Sequence, residues 1–383
     1  MKKTIAILTA LLLACGIFAL AGCSGEPELD KKNLSGFAIS AIPADEIIVG
    51  ILHITSTKET SGYTFAHHKG FMEMAGALGL REDQIMIKDN IDDQDVSATK
   101  NALQELVDAE CDIIFATSYN YMQTMSEFAA EHPSVIFSHC SGYMDNENNF
   151  NNYFGRIYEA RYLSGIAAGM KMLEAKQPVA GYVAAQDVKN SEVTGGINAF
   201  ALGVQSVYPE ATVKVSVTGS WYNPEAEAAA AKALIDAGAY VIAQHCDTDG
   251  PQTTAQQQGV FGVGYNSDMT ATAPDAHLCA PIWNWGVYYT AAVKDAIEGN
   301  WVPENYYGGT AEGLVGLSDL NEATAAKDTA EAIAEARQKI IDGSLLVFDT
   351  GLTKADGTVI DHPLTDAEIT GGIDYYIKGV SLL

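Results

Sequence analysis

The chain is predicted to fold as an α/β protein in which two doubly wound parallel-sheet units are laid end to end. Three observations carry this prediction. Short β-branched runs alternate with Ala-rich helical stretches, a second series of the same kind follows the first, and the roughly 340 residues behind the N-terminal segments exceed what one core usually organises. Strands alternating with helices imply parallel sheets, because a parallel strand is reached only by a crossover.

In the first series the strand candidates are "IIVGILHI" (Ile47 to Ile54), "QIMI", "DIIFAT" (Asp112 to Thr117) and "VIFS" (Val135 to Ser138). The second series is "VAGYVAA", "TVKVSV", "YVIAQH" (Tyr240 to His245) and "VFGVGY". Helix punctuation agrees with it. In "GSWYNPEAEAAAAKALIDAGAYVIAQH", Asn223 can cap and Pro224 suits the first helical position. Glu225 and Glu227 favour the positive end of the helix dipole, and Gly238 stops the helix just before the next strand.

Ligands of such sheets collect outside the carboxyl ends of the strands. The candidate segments are therefore Ser56 to Tyr63, Ser118 to Tyr121, His139 to Gly142, Gln186 to Asn190, Gly219 to Tyr222, Cys246 to Asp249 and Asn266 to Asp268. They are rich in aromatics and carboxylates and poor in Lys and Arg. A further segment, "CAPIWNWGVYYT" (Cys279 to Thr290), packs Trp283, Trp285, Tyr288 and Tyr289 together, as either a core corner or a stacking surface for a flat ligand. Trp283 and Trp285 alternate along a strand-like stretch. One is expected to face the core and the other, Trp285, the cleft.

At the N-terminus, Lys2 and Lys3 precede an apolar run from Ile5 to Leu20 and the tetrapeptide Leu20-Ala21-Gly22-Cys23. This is the pattern of an export signal ending in a bacterial lipobox, so residues 1–22 are expected to be removed and Cys23 lipidated. Residues 23–45 are polar and small without periodicity and read as a flexible tether.

The chain carries 22 basic and 49 acidic residues, a net charge of −27. Phosphate binding needs basic stripes, so nucleic acid is not an expected partner. Cys111, Cys140, Cys246 and Cys279 lack CxxC spacing, which leaves buried free thiols as the favoured reading and disulfides as the alternative. His67 and His68 are adjacent on a helix, about 100° apart, and do not converge on one metal ion. His245, at a strand end, reads as a hydrogen-bonded structural histidine. No metal or cofactor is expected. An enzyme lacks support: there is no G-x-S-x-G elbow and no G-x-x-x-x-G-K-[ST] loop, and "GVFGVGY" has its glycines in the wrong order for G-x-G-x-x-G.

Several long, ordered motifs resemble one family. "NNYFGRIYEARYLSGIAAGMK", "VAGYVAA", "EVTGGINAFALGVQSVYPEATVKV", "GSWYNPEAEAAAAKALIDAGAYVIAQHCD", "GYNSDM" and "APIWNWGVYY" are similar to the basic membrane protein family of ABC-transporter substrate-binding lipoproteins, which includes purine nucleoside receptors and adenine-binding relatives. The resemblance runs from about Ile47 to the C-terminus. It implies the type I periplasmic-binding-protein fold: two Rossmann-like lobes joined by hinge strands and closing on a small ligand. The first lobe would comprise 46–155 plus about 283–310, and the second 156–282 plus about 311–383.

Carried over onto this sequence, the resemblance gives Tyr63 in "SGYTFAHHKG" the base-stacking role and makes Tyr119 in "TSYNYM" a second aromatic. In the far lobe it brings Trp221, Asp247 and Asp268, with helix capping as the alternative role for both carboxylates. Nucleoside receptors of the family carry a Lys near "WNW". Here Asn284 and Trp285 stand instead, which favours a free base or another flat ligand over a ribose contact. The implied protein is a monomeric, lipid-anchored binding protein on the extracytoplasmic face of the cell membrane. It would pass a purine base or nucleoside to an ABC permease. The alternatives are a sugar or other heterocycle as ligand, or a co-receptor that presents its ligand to a sensor.

Overall fold

The computed structural model describes residues 40–383. The export signal, Cys23 and most of the tether lie outside the described residues. Two six-stranded, all-parallel sheets form the frame. The first has the order β2-β1-β3-β4-β5-β12, built from β1 (Val49–Leu52), β2 (Ile85–Lys88), β3 (Ile113–Ala116), β4 (Ile136–Cys140), β5 (Phe150–Gly155) and β12 (Tyr306–Gly308). The second repeats this pattern as β14-β7-β6-β8-β9-β10. Its strands are β6 (Val179–Ala184), β7 (Thr212–Val217), β8 (Val241–His245), β9 (Phe261–Val263), β10 (His277–Cys279) and β14 (Val380–Leu382). A short antiparallel pair, β11 (Pro281–Trp283) with β13 (Val315–Leu317), stands outside both sheets.

Each sheet is covered on both faces, so its central strands are buried throughout. Along β3, Ile113 and Phe115 join one apolar cluster while Ile114 and Ala116 join another on the opposite face. In β8, Val241 and Ala243 face one way and Ile242 the other. The eight predicted strands are all present, within a few residues of their expected limits. β5 and the short strands β10 to β14 are additional.

The chain runs from the first sheet to the second after β5, returns before β12, and leaves again before β14. Helix Ile157–Ala175, which follows β5, lies against helix Ser191–Val207. The backbones touch: a Cβ built on Gly165 would collide with the Phe200 carbonyl, and one on Gly203 with that of Tyr162. The punctuation of helix Pro224–Asp236 is as expected. The Asn223 side chain accepts from the Ala226 N–H at 3.1 Å, Pro224 opens the helix, and Gly238 takes φ 95° beyond its end.

Trp283 and Trp285 do not divide between core and cleft, which corrects the expectation for Trp285. Strand β11 ends at Trp283, Asn284 breaks the extended geometry at φ −103° and ψ 64°, and Trp285 is the first residue of helix Trp285–Glu298. Both indoles are thereby brought to the same side and stack at 4.3 Å. His67 stacks on the far face of this pair, 4.2 Å from Trp285. Trp285 is fully buried. All four described thiols, Cys111, Cys140, Cys246 and Cys279, are buried and free, and burial pushes each thiol upward in pKa. Among the described residues no helix is long and apolar enough to cross a membrane.

Candidate functional site

The loops beyond the carboxyl ends of the two sheets face each other across a cavity of about 600 Å³. From the first sheet come Thr55 and Glu59 after β1, Asp93 after β2, Ser118 and Tyr119 after β3, and Phe154 on β5. The second contributes Gln186 and Glu192 after β6, Trp221 and Tyr222 after β7, Asp247 after β8 and Tyr265 after β9. In each sheet the order of the strands reverses at the first strand, so neighbouring crossovers leave a crevice there. The two crevices oppose one another. The halves approach closely at Gly62, which has φ 86°; a Cβ there would lie 2.9 Å from the Asp247 carbonyl oxygen. Only glycine suits both that conformation and that contact.

Of the residues singled out from sequence, Tyr63, Tyr119, Trp221 and Asp247 line the cavity. Tyr63 is the second residue of helix Gly62–Leu78; its hydroxyl lies 3.3 Å from the Cys140 thiol and its ring meets His67 edge-on. Tyr119 is half exposed at the rim beside Tyr143. Trp221 sits in the "GSW" turn. Its carbonyl accepts from the Asp247 N–H, which ties the loops after β7 and β8 together. Trp285 and Asp268 are not among the lining residues. Trp285 lies in the core behind Tyr63 and His67. Asp268 is exposed and turned to its own loop, accepting from Thr270 N–H at 2.8 Å and facing His277 at 3.6 Å. Among the described residues no helix follows it there, so Asp268 braces a turn and does not take the helix-capping role held open for it.

Four carboxylates line the cavity, and no Lys, Arg or His does among the described residues. Three are tied to other side chains at 3.0 Å or less. Glu59 accepts from Thr55, Asp93 from Ser118 and Asn120, and Asp247 from the Asn266 amide at 2.9 Å. Burial raises Asp247 to about 8, helped by the nearby charges of Glu227 and Glu192 and opposed by the Asn266 hydrogen bond. Glu227, itself buried, braces the same loop by accepting from Thr248 N–H at 3.1 Å and Thr248 Oγ1 at 2.5 Å.

Glu192 was not singled out from sequence. It lies just past the Gln186 to Asn190 segment, in the first turn of a helix capped by Asn190, where a carboxylate ordinarily serves the dipole. Burial pushes it up to about 7 and the charge of buried Arg161 pulls it back. One of its oxygens faces His245 Nε2 at 3.4 Å. Phe154 and Tyr265 were also missed, since neither follows a loop signal in the sequence.

The cavity thus offers aromatic faces and hydrogen-bond acceptors, and no lining cation to balance an anionic ligand. It suits a flat, uncharged or donor-rich small molecule.

Residues 49–346 match the family model described as ABC transporter substrate-binding protein PnrA-like. Among similar proteins, a purine-binding protein of Brucella abortus (strain 2308) is 33% identical over 352 residues, covering 91% of this chain and 97% of that protein. A Haloferax volcanii protein named "Putative ABC transporter glucose-binding protein" is 34% identical over 252 residues, 66% of this chain and 63% of its own length. Among solved structures, an ABC transporter solute-binding protein from Aeropyrum pernix K1 superposes with a TM-score of 0.64 at 18% identity, over 78% of this chain and 92% of that one. One from Conexibacter woesei DSM 14684 gives 0.62 at 15%, over 78% and 97%. The fold is therefore the type I fold of periplasmic solute-binding proteins.

Proposed function

Because the chain belongs to the PnrA-like family of ABC transporter substrate-binding proteins, which bind small ligands for a permease and are not enzymes, we propose that its cleft captures a purine base or nucleoside. The observation that carries this reading is the cavity wall itself: Tyr63, Tyr119 and Trp221 with Asp247 and Glu192 among them, and, among the described residues, no basic one. Aromatic faces stack on a planar heterocycle whatever its substituents, and carboxylates at the ring edge accept from its N–H and amino groups. The naming of the Brucella relative for purine binding supports it. A second reading, a sugar such as glucose, is favoured by the name of the Haloferax relative. Mass spectrometry of small molecules released from the purified, denatured protein separates the two, with a purine as the expected cargo.

Capture works by closure. The halves 46–155 plus about 283–310 and 156–282 plus about 311–383 act as lobes, and ligand binds the closed arrangement better, shifting an open–closed equilibrium. Small-angle scattering is expected to give a smaller radius of gyration at saturating ligand. An unchanged radius would contradict closure.

The body is held at the extracytoplasmic face of the membrane by lipid on Cys23. Acyl labelling checks this: Cys23→Ser is expected to abolish label and leave the precursor uncleaved, whereas labelling at the wild-type level would remove Cys23 from the account.

A further inference from the structure

We propose that Glu192 reads the edge of the bound ring, and that it selects ligands presenting two adjacent N–H donors over ligands presenting a donor beside a bare ring nitrogen. The inference rests on the purine reading above and names the substrate preference within it. In purine terms, the 2-amino-6-oxo edge of guanine and guanosine is favoured over the edges of adenine and adenosine.

The geometry sets Glu192 apart from the other three cavity carboxylates. Glu59, Asp93 and Asp247 already accept hydrogen bonds of 3.0 Å or less from Thr55, from Ser118 and Asn120, and from Asn266. Glu192 has a single long contact, 3.4 Å from Oε1 to His245 Nε2. Among the described residues its other oxygen accepts nothing. It lines the cavity from the first turn of its helix, where the positive end of the dipole supports a carboxylate.

What stands behind Glu192 fixes its polarity. Arg161 is fully buried, with Nη1 donating to the Gln244 carbonyl at 2.5 Å and its guanidinium 3.9 Å from the Tyr265 ring centroid. Among the described residues its Nε and Nη2 have no hydrogen-bond partner, and neither have the Tyr182 hydroxyl and His245 Nδ1. These groups share one region. A Cβ on Gly196 would lie 3.1 Å from His245 Nδ1 and 3.5 Å from the Tyr182 hydroxyl, and the Tyr265 ring that carries Arg161 is 4.9 Å from the His245 ring.

Arg can only donate, so the acceptors left for it in this nest are the imidazole nitrogen and the phenol oxygen, reached through a bridging water. His245 therefore keeps Nδ1 unprotonated and carries its proton on Nε2, aimed at Glu192. Burial, helped by the Arg161 charge, holds His245 neutral. Glu192 is left presenting an acceptor to the ligand.

An ionised carboxylate takes two parallel N–H bonds from the N1–H and 2-amino group of a guanine edge. Both edges of adenine that carry its amino group set it beside a bare nitrogen, N1 or N7, which faces carboxylate lone pairs without a proton between them. Protonated Glu192 would present one donor and one acceptor and suit adenine instead. Burial brings this exchange to about pH 7. The titratable and charged groups around Glu192 are His245, Arg161, Tyr182, Tyr265, Asp247, Tyr63, Cys140 and Tyr307; of these, Asp247 has a raised pKa of its own near 8 and is the one rival for the effect.

The test is calorimetric titration of wild type and Glu192→Gln with guanine, hypoxanthine and adenine, and with their nucleosides, at pH 5.5 and 8.5. Wild type at pH 8.5 is expected to favour the guanine edge over the adenine edge by about tenfold or more, with hypoxanthine, which lacks the 2-amino group, between them. At pH 5.5 the preference shrinks or reverses. Glu192→Gln, which carries a donor and an acceptor at every pH, is expected to favour adenine at both. An unchanged base ratio in Glu192→Gln, or a wild-type ratio that does not move with pH, overturns the assignment. A pH-dependent ratio that persists in Glu192→Gln transfers it to Asp247 and overturns it equally. Wild type that binds no purine removes the underlying reading and this inference with it; purine binding with no edge preference removes this inference alone.

Discussion

Trp285→Ala is expected to lower the stability of the folded body by about 3–5 kcal/mol, the range for truncating a large aromatic in a well-packed core. The indole is fully buried between Trp283 at 4.3 Å and His67 at 4.2 Å, and it meets Tyr153 edge-on at 5.7 Å. His67 continues the cluster through a 2.6 Å hydrogen bond to Tyr289. Alanine would leave a cavity that these rings can collapse into only by giving up their own partners. Urea unfolding of wild type and variant measures the difference. A variant that unfolds at the wild-type midpoint but no longer binds ligand would place Trp285 at the cleft after all. The account expects the opposite order, with folding hit first and affinity altered only through Tyr63, which leans on His67.

Trp221→Ala is expected to weaken purine binding by about five- to 150-fold, corresponding to roughly 1–3 kcal/mol for one stacked base. Trp221 lines the cavity, packs partly on the apolar clusters of the second sheet, and meets His245 edge-on at 5.7 Å. Because its backbone, not its ring, holds the Asp247 loop, alanine leaves that hydrogen bond in place. Calorimetry paired with a melting curve separates loss of the stacking face from loss of the fold. Wild-type affinity in a folded variant would take Trp221 out of the site.

Most of the frame was legible because parallel strands buried on both faces must be apolar throughout, and β-branched runs between Ala-rich helices are what such strands look like. Strand β5 was not, because it reads "FNNYFG". One of its two buried asparagines depends on distant partners: Asn151 donates to the Tyr288 hydroxyl at 3.0 Å and to the Glu304 carbonyl at 2.9 Å. Those contacts span more than a hundred residues, beyond the reach of any local pattern. The three-residue strands β12 and β14 are equally invisible, since their pairing is set by the chain's return to a sheet laid down much earlier.

The position of the candidate site was legible as a rule about strand ends, which gave the segments; the family resemblance then picked Tyr63, Tyr119, Trp221 and Asp247 within them, and all four line the cavity. Trp285 was misjudged because a two-residue alternation was extended through Asn284, where the chain changes from strand to helix. Glu192 was passed over because a carboxylate in a first helical turn has an ordinary explanation. Its distinction lies in what stands behind it, His245 at 3.4 Å and a buried Arg161 with unpaired donors, and neither is near it in sequence.

The central claim, that the cleft takes a purine, is tested most directly by calorimetric titration of the wild-type protein, stripped of cargo by unfolding and refolding. The ligands are adenine, guanine, adenosine, guanosine and glucose. The account predicts saturable one-to-one binding of at least one purine and no heat of binding from glucose. Saturable glucose binding with no response to any purine would contradict it.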